Sequence, residues 1–315
     1  MISAFVGDAP AKIILFGEHA VVYGQPAIAA PVTSLRVYAS ASENSLGYLR
    51  VIANELGSVY TITQSEKLSE KPLETICQLT LRHFNRPIPA VDLKLTSEIP
   101  IASGLGSGAA ISAALARALA GAIGESLSDD VLNTLVYEVE KIHHGTPSGI
   151  DNTVIVYEQP IRYVRDEPIQ RITLNHPFHF VIADTGIHAP TYLSVGDVRK
   201  LMDKSPETTR NLIEKIGSIT DYALEALKSA DISTVGRLMT ENHRLLQSLT
   251  VSSPELDHLT DTALKSGAFG AKLSGGGRGG NMIALVESDS VESMKATLKS
   301  AGAYRVMDMT LGNDS

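Results

Sequence analysis

Apolar and polar residues alternate along Val91–Thr96 (VDLKLT), the period of a strand with one face buried. The pattern changes over Ser107–Ile123, an Ala/Leu-rich stretch without proline that stops at Gly124, which predicts a helix with a glycine end. Ser128 reads as the N-cap of a second helix running to about His144, with Val131, Leu135, Val139 and Ile142 as its apolar stripe. On that helix Leu132, Val136 and Glu140 also form an i, i+4 row, so a carboxylate continues an apolar line and is expected at the lip of the core. Thr153–Tyr157 and Ile161–Val164, parted by Glu158-Gln159-Pro160, are predicted as a hairpin.

The second half has a clearer rhythm. Phe178–Ala183 has strand length, a helical region covers about Thr191 to Ser266, and its last helix opens with Ser253 as cap and Pro254 at the first helical position. Phe269–Leu273 and Met282–Val286 read as strands around a glycine cluster, Ser290–Ser300 as a helix and Tyr304–Met309 as a final strand. Strand, helices, strand, strand, helix, strand is a split β-α-β order, that of a ferredoxin-like domain. A boundary near Thr173 separates it from the first half, so the expectation is an α+β chain with one domain over 1–172 and another over 173–315.

Composition narrows the function. There are 315 residues, of which 43% are hydrophobic and 20% charged, as in ordinary globular chains. Lys and Arg number 27 against 35 Asp and Glu, a net charge of −8 with no basic block, which argues against nucleic acid or an anionic membrane as partner. The single cysteine, Cys77, excludes an internal disulfide and a thiolate-rich metal site. The opening MISAFVGDAPAK has no basic segment followed by an apolar one, and Ala109–Gly124 falls short of the ~20 residues of a membrane span, so a cytoplasmic protein is expected.

Three segments carry candidate chemistry. In Ile99–Ala110 (IPIASGLGSGAA), glycines 104, 106 and 108 lead straight into a helix. Such a loop permits close approach, and the helix offers free N–H groups and its positive dipole end, which together make an anion cradle suited to nucleotide phosphates. The Walker A pattern is absent. In Ser274–Gly280 (SGGGRGG) the spacing G-x-G-x-x-G occurs, but a strand follows where the dinucleotide fingerprint needs a helix. A loop whose backbone lies against a ligand, or a plain hairpin connection, fits that context. In Glu140–Asp151 (EKIHHGTPSGID), Glu140 is a candidate for Mg²⁺ or a half-exposed surface residue, and Asp151 a functional carboxylate or a turn cap. Two E-x-x-H pairs, Glu140/His143 and Glu255/His258, carry little weight, because strands and glycine loops are wrong for a di-iron helix bundle. Ala9–Gly24 (APAKIILFGEHAVVYG) places Lys12, Glu18, His19 and Tyr23 around a short apolar strand, at a cleft or merely at solvated strand ends.

Taken together, KIILFGEHAVVYG, GLGSGAA, HHGTPSGID and KLSGGGRGG, in this order across nearly the whole chain, resemble the GHMP kinases, and among them the branch that acts on mevalonate. GEHAVVYG is the most specific of the four; the branch acting on phosphomevalonate typically has Tyr in place of His19. The resemblance implies ATP-dependent phosphorylation of the 5-hydroxyl of mevalonate in isoprenoid biosynthesis. It further implies a ribosomal-protein-S5-like N-terminal domain followed by a ferredoxin-like C-terminal one.

Carried over by motif, Asp151 is the catalytic carboxylate with Lys12 beside it. Ser103, Gly104, Leu105, Gly106, Ser107, Gly108 and Ala109 bind ATP, Glu140 and Ser107 hold Mg²⁺, and Glu18, His19 and Thr185 bind mevalonate. Ser274, Gly275, Gly276 and Gly277 lie near substrate and phosphates. The partners so implied are mevalonate and ATP, with a homodimer as the one assembly considered. Two departures stand out. The family loop often reads GLGSSAA, so Gly108 replaces a second serine and leaves Ser107 or a water as the loop's metal ligand. Arg278 stands where glycine is common, facing phosphate, substrate carboxylate or solvent. The rival readings are another GHMP small-molecule kinase, for phosphomevalonate or for the 3-hydroxyl of mevalonate, and a nucleotide-binding regulator without catalysis. The set Lys12, Glu140 and Asp151 speaks against the last.

Overall fold

The computed structural model describes residues 5–53, 57–63, 65, 67–100, 104–144, 147–188 and 190–312. They divide into two compact units: 1–12, 31–101 and 105–158 in one, and 13–30, 102–104 and 159–315 in the other. Two long strands, β1 (Phe5–Phe16) and β2 (Ala27–Glu43), contribute residues to both.

In the first unit, β3 (Leu49–Ala53), β4 (Ser58–Ile62) and β5 (Val91–Ser97) join the distal part of β2 in the order β4-β3-β5-β2. The β3–β5 pair is parallel and the others antiparallel. Val91, Leu93 and Leu95 are buried while Lys94 and Thr96 are exposed, as the alternation in VDLKLT requires. Four helices complete the unit: α1 (Pro72–His83), α2 (Ser107–Ala122), α3 (Asp129–His144) and α4 (Ile150–Tyr157). The alanines of α2 let neighbouring elements approach closely, so this helix contacts α1, α3, α4 and β5. The Ser128 hydroxyl accepts from the Val131 N–H at 3.4 Å, the cap expected for α3.

Two local expectations are corrected. Thr153–Tyr157 belongs to helix α4 rather than to a hairpin, although Ile161–Tyr163 is a strand, β6. Its β-branched residues favour strand in isolation, yet Thr153 to Val156 are all buried, and the Thr153 hydroxyl bonds back to Gly149 O at 2.7 Å. Packing on all sides overrides propensity there. On α3 the buried residues are Leu132, Leu135, Val136, Val139 and Glu140, so Leu135 and Val139 of the expected stripe face inward, while Val131 is half-buried and Ile142 is 38% exposed. The inward face is therefore rotated from the stripe drawn through Ile142, and Glu140 lies within the core rather than at its lip.

In the second unit the first residues of β2 pair with β6, which pairs with β7 (Gln170–Arg171). A separate antiparallel sheet contains β8 (Phe178–Asp184), β9 (Gly270–Ser274), β10 (Asn281–Val286) and β11 (Arg305–Leu311) in the order β11-β8-β10-β9. That is the 4-1-3-2 order of the split β-α-β unit. The first crossover holds four helices, α5 (Thr191–Lys204), α6 (Pro206–Lys228), α7 (Ile232–Ser248) and α8 (Pro254–Lys265), and the second holds α9 (Val291–Ser300). As expected, Ser253 caps α8 through Leu256 N. The core of this unit gathers Val181, Ala183, Ala271, Leu273, Met282 and Ala284 from the sheet under Leu246, Leu256, Leu259 and Leu298 from the helices. His243 is one of its polar ties, accepting from Leu273 N at Nδ1 (3.2 Å) and meeting Asp257 at Nε2 (3.1 Å).

Where α7 crosses β9 the backbones touch. A Cβ on Gly270 would lie 1.9 Å from Gly236 O, closer than real atoms come. Gly270→Ala is therefore expected to destabilise the protein by about 1–3 kcal/mol or more, read as a lower urea midpoint at unchanged m. An unchanged midpoint would show that the helix can slide.

Candidate functional site

The residues singled out in the sequence fall into two groups, one in each unit. In the first unit β1 delivers Lys12 as a 5% exposed residue, with its backbone N–H bound to Leu105 O at 3.0 Å. Its Nζ lies 3.0 Å from Oδ1 of Asp151. Asp151 sits in the first turn of α4, where the positive end of the helix dipole favours a carboxylate. Its side chain keeps 30% exposure against 7% for Lys12, so the carboxylate is the accessible member of the pair.

Glu140 is the third charged member. Burial, then the negative charge of Asp151, push its carboxyl up to about 7, opposed by Lys12. Glu140, Asp151 and Lys12 thus bring two carboxyl groups and one ammonium close together. The donor oxygens are hard, and Mg²⁺ typically uses only one or two protein carboxylates beside phosphate oxygens. Among the described residues no group of three or more His, Cys, Asp or Glu forms a self-sufficient metal site. The donor set suits an ion shared with a phosphate rather than one caged by protein.

The glycine loop lies directly on Lys12. Gly106 is left-handed (φ 74°), and a Cβ there would stand 2.9 Å from Lys12 Cγ and 2.8 Å from Ile155 Cδ1. Only glycine satisfies both the angle and the space. Helix α2 starts at Ser107, and its first backbone bond runs from Ala110 N to Gly106 O (3.0 Å). The N–H groups of Ser107, Gly108 and Ala109 thus belong to the open helix end, as an anion cradle requires. Gly108 is helical and has no left-handed angle. Leu105 is a buried anchor, 1% exposed, rather than an open surface. Ser103 lies outside the described residues, as does the side chain of His143.

In the second unit, Glu18 and His19 follow the end of β1. Glu18 forms an ion pair with Lys272 of β9, both side chains fully buried, and the ammonium also donates to Leu273 O at 2.7 Å. Burial depresses the Lys272 ammonium while Glu18 opposes that shift. His19 Nε2–H donates to Gly276 O at 3.0 Å, and Nδ1 is buried without a partner. Burial is the main cause holding the imidazole down to about 4; the charges of Arg278 and Lys272 act the same way against the bond to Gly276.

The rest of the group is the loop after β9. The Ser274 hydroxyl donates to Ile14 O at 2.8 Å, and that of Thr185 to Gly280 O at 3.0 Å. Gly275 and Gly277 are left-handed, and Gly276 receives the histidine. Arg278 keeps 34% of its side chain exposed while it is tied down on the protein side. Its N–H binds Val251 O at 2.8 Å and its guanidinium pairs with Asp197 of α5.

Sequence reasoning passed over Lys272. A lysine between Ala271 and Leu273 in a wholly buried strand is a usable signal, since such a charge must have a counter-ion. Its partner, 254 positions away, was not readable. The second E-x-x-H pair, Glu255 and His258, is exposed at the start of α8 and belongs to neither group.

His19 gives a pH test. An imidazole held at about 4 rather than 6.5 is neutral in the native protein while the unfolded chain takes up a proton, so its contribution is present above pH 6.5 and is lost as pH falls toward 4. The stability gap between wild type and His19→Gln is expected to narrow by on the order of 3 kcal/mol from pH 7 to pH 4, measured by urea unfolding. A gap independent of pH would mean that His19 is not held neutral.

Comparison with known proteins bears on the whole chain. Residues 71–159 match the GHMP kinases N terminal domain and residues 223–303 the GHMP kinases C terminal family. The mevalonate kinase of Pyrococcus horikoshii is 34% identical over 322 residues, covering 96% of this chain and 94% of that protein. The crystal structure of the Methanococcus jannaschii mevalonate kinase superimposes with a TM-score of 0.88 at 28% identity, covering 99% of both chains. The L. major mevalonate kinase in complex with R-mevalonate gives a TM-score of 0.85 at 29% identity, covering 100% of this chain and 97% of that one. With both domain models matched and identity above 30% sustained along almost its full length, the chain belongs to the GHMP kinases, in the mevalonate kinase family.

Proposed function

We propose that this chain transfers the γ-phosphoryl group of ATP to the 5-hydroxyl of mevalonate, giving 5-phosphomevalonate and ADP in cytoplasmic isoprenoid biosynthesis. The observation that carries the reading is the Lys12–Asp151 pair at 3.0 Å, with the glycine loop packed on Lys12. On this reading residues 1–172 form the kinase's N-terminal domain and 173–315 its C-terminal domain.

Phosphoryl transfer needs in-line positioning and charge neutralisation more than covalent assistance. Asp151 accepts the hydrogen bond of the 5-hydroxyl and takes its proton as the oxygen attacks. Lys12 keeps that carboxylate oriented and offers positive charge to the phosphoryl group in flight. The N–H groups of Ser107, Gly108 and Ala109 cradle the phosphates, and the motif adds Ser103 and Gly104 to the ATP-binding set. His19 and Thr185 bind mevalonate, Glu18 contributes from within its buried pair with Lys272, and the Ser274–Gly277 backbone borders the substrate. Glu140 and Ser107 are the residues that would hold Mg²⁺. When bound, that ion would neutralise phosphate charge beside the two acids.

Purified protein with ATP and Mg²⁺ is expected to release ADP only when mevalonate is added. Equal turnover of phosphomevalonate, or phosphate found on the 3-hydroxyl, would move the chain to another acceptor within the superfamily. Asp151→Asn is expected to retain nucleotide affinity while kcat falls ~10²–10⁴-fold, the usual reach of general acid–base catalysis. A variant keeping half the wild-type rate would remove Asp151 from its role.

The metal assignment has its own test. Glu140→Gln and Ser107→Ala are each expected to raise the Mg²⁺ concentration giving half-maximal rate. Gly108→Ser, at a helical position with no left-handed angle, is expected to fold normally and to lower it. Unchanged metal dependence in both Glu140→Gln and Ser107→Ala would place the ion elsewhere.

A further inference from the structure

The helix that carries Asp151 is short, eight residues, and helices of that length have little stability of their own. Its position is therefore set by the packing of its buried face together with what grips its ends. At the first turn the grip is the Lys12 ion pair and a bond from Asn152 Nδ2 to Asn133 Oδ1 of α3 at 2.7 Å. At the far end it is a cluster of four charges remote in sequence: Asp8, Arg36, Arg117 and Glu158.

Glu158 closes α4 in the left-handed region (φ 52°, ψ 34°), where glycine or asparagine would be the cheaper residue. Its carboxylate has a use that neither could serve. Arg36 NH2 donates to both its oxygens at 3.0 Å, and Arg117 NH1 to Oε1 at 3.2 Å. Arg117 NH2 also donates to Val156 O at 3.0 Å, satisfying a carbonyl of the last turn of α4. The same guanidinium reaches the other way, with NH1 donating to Asp8 O of β1 at 2.7 Å, while Arg36 Nε pairs with the Asp8 carboxylate.

Arg117 belongs to α2 and is only 24% exposed at the side chain. At this point α2 and β1 are in backbone contact, since a Cβ on Gly7 would lie 2.4 Å from both Ala114 O and Ala118 N. The β1–α2 junction is thus a rigid base, and the arginines fasten the end of α4 to it. The elements so joined are those bearing Lys12, the glycine loop and Asp151.

We propose that Arg117, with Arg36 and Glu158, is a positioning residue for phosphoryl transfer, holding α4 so that Asp151 meets Lys12 and the acceptor hydroxyl in register. This rests on Asp151 acting as proposed above. A helix pivoting from a loosened end carries Asp151 with it, and a misplacement of about 1 Å can cost ~10²-fold in rate.

The test is a double-mutant cycle between Arg117→Lys and Asp151→Asn, run with whichever alcohol the wild type phosphorylates, so that its result stands whatever that acceptor is. Lysine keeps the charge but cannot donate to Asp8, Val156 and Glu158 together. Arg117→Lys is expected to lower kcat ~10-fold or more at temperatures well below its melting point, with nucleotide Kd and acceptor KM within about twofold of wild type. On the Asp151→Asn background it is expected to cost no further rate, because the residue it positions has been disabled. Glu158→Gln, which keeps the side-chain shape, is expected to repeat the pattern and serves if Arg117→Lys does not fold. Wild-type kcat in both variants, or a loss that multiplies fully with that of Asp151→Asn, would reduce the cluster to a stability element. Absence of any rate loss in Asp151→Asn alone would instead reject the role of Asp151.

Discussion

A charge taken out of water has to be met by an opposite charge or by well-aimed dipoles, and this constraint organises the molecule. Lys12 within β1 is met by Asp151, Lys272 in a buried strand by Glu18, and the carboxylate of Glu158 by two arginines. Each pairing joins residues far apart in the chain, so each also fixes a piece of tertiary structure. Removing one partner of the fully buried pair would strand the other, at a cost of about 3–5 kcal/mol. Stability and site geometry therefore rest on the same contacts.

The proposed chemistry lies where two carboxyl groups and one ammonium lie close together. Glu140 is buried beside Asp151 with Lys12 as counter-charge, and its carboxyl rises to about 7 because burial and the neighbouring acid disfavour its ionised form. In a kinase, cationic charge arrives with the nucleotide and its metal, and that charge favours the ionised form of such a carboxyl group. His19 shows the complementary strategy: burial keeps its ring neutral, so it adds no charge to a region already containing Lys272 and Arg278.

The backbone follows the same economy. Gly106 lets the loop rest on the aliphatic stem of Lys12, and the helix that begins one residue later presents its first N–H groups there. Two of the left-handed residues that are not glycine, Glu158 and Arg278, are each held by their own side chains in ion pairs. Local strain is tolerated where a charged side chain anchors the turn.

Much was legible in the sequence because it depends on local physics. Alternation marked β5, composition and Gly124 marked α2, Ser128 and Ser253 marked helix starts, and the strand–helix rhythm of the second half led to its sheet. The glycine loop, Lys12, Glu140 and Asp151 were nominated by residue type and motif. What the chain could not disclose depends on contacts between distant residues. Thr153–Tyr157 is helical because it is enclosed, Ile142 is exposed because neighbours rotate the inward face of α3, and Arg278 binds Asp197 because α5 packs beside its turn. The partners of Lys272 and Glu158 belong to the same class. Periodicity and caps act over a few residues, whereas the choice of counter-ion for a buried charge is made only when the folded chain brings the two together.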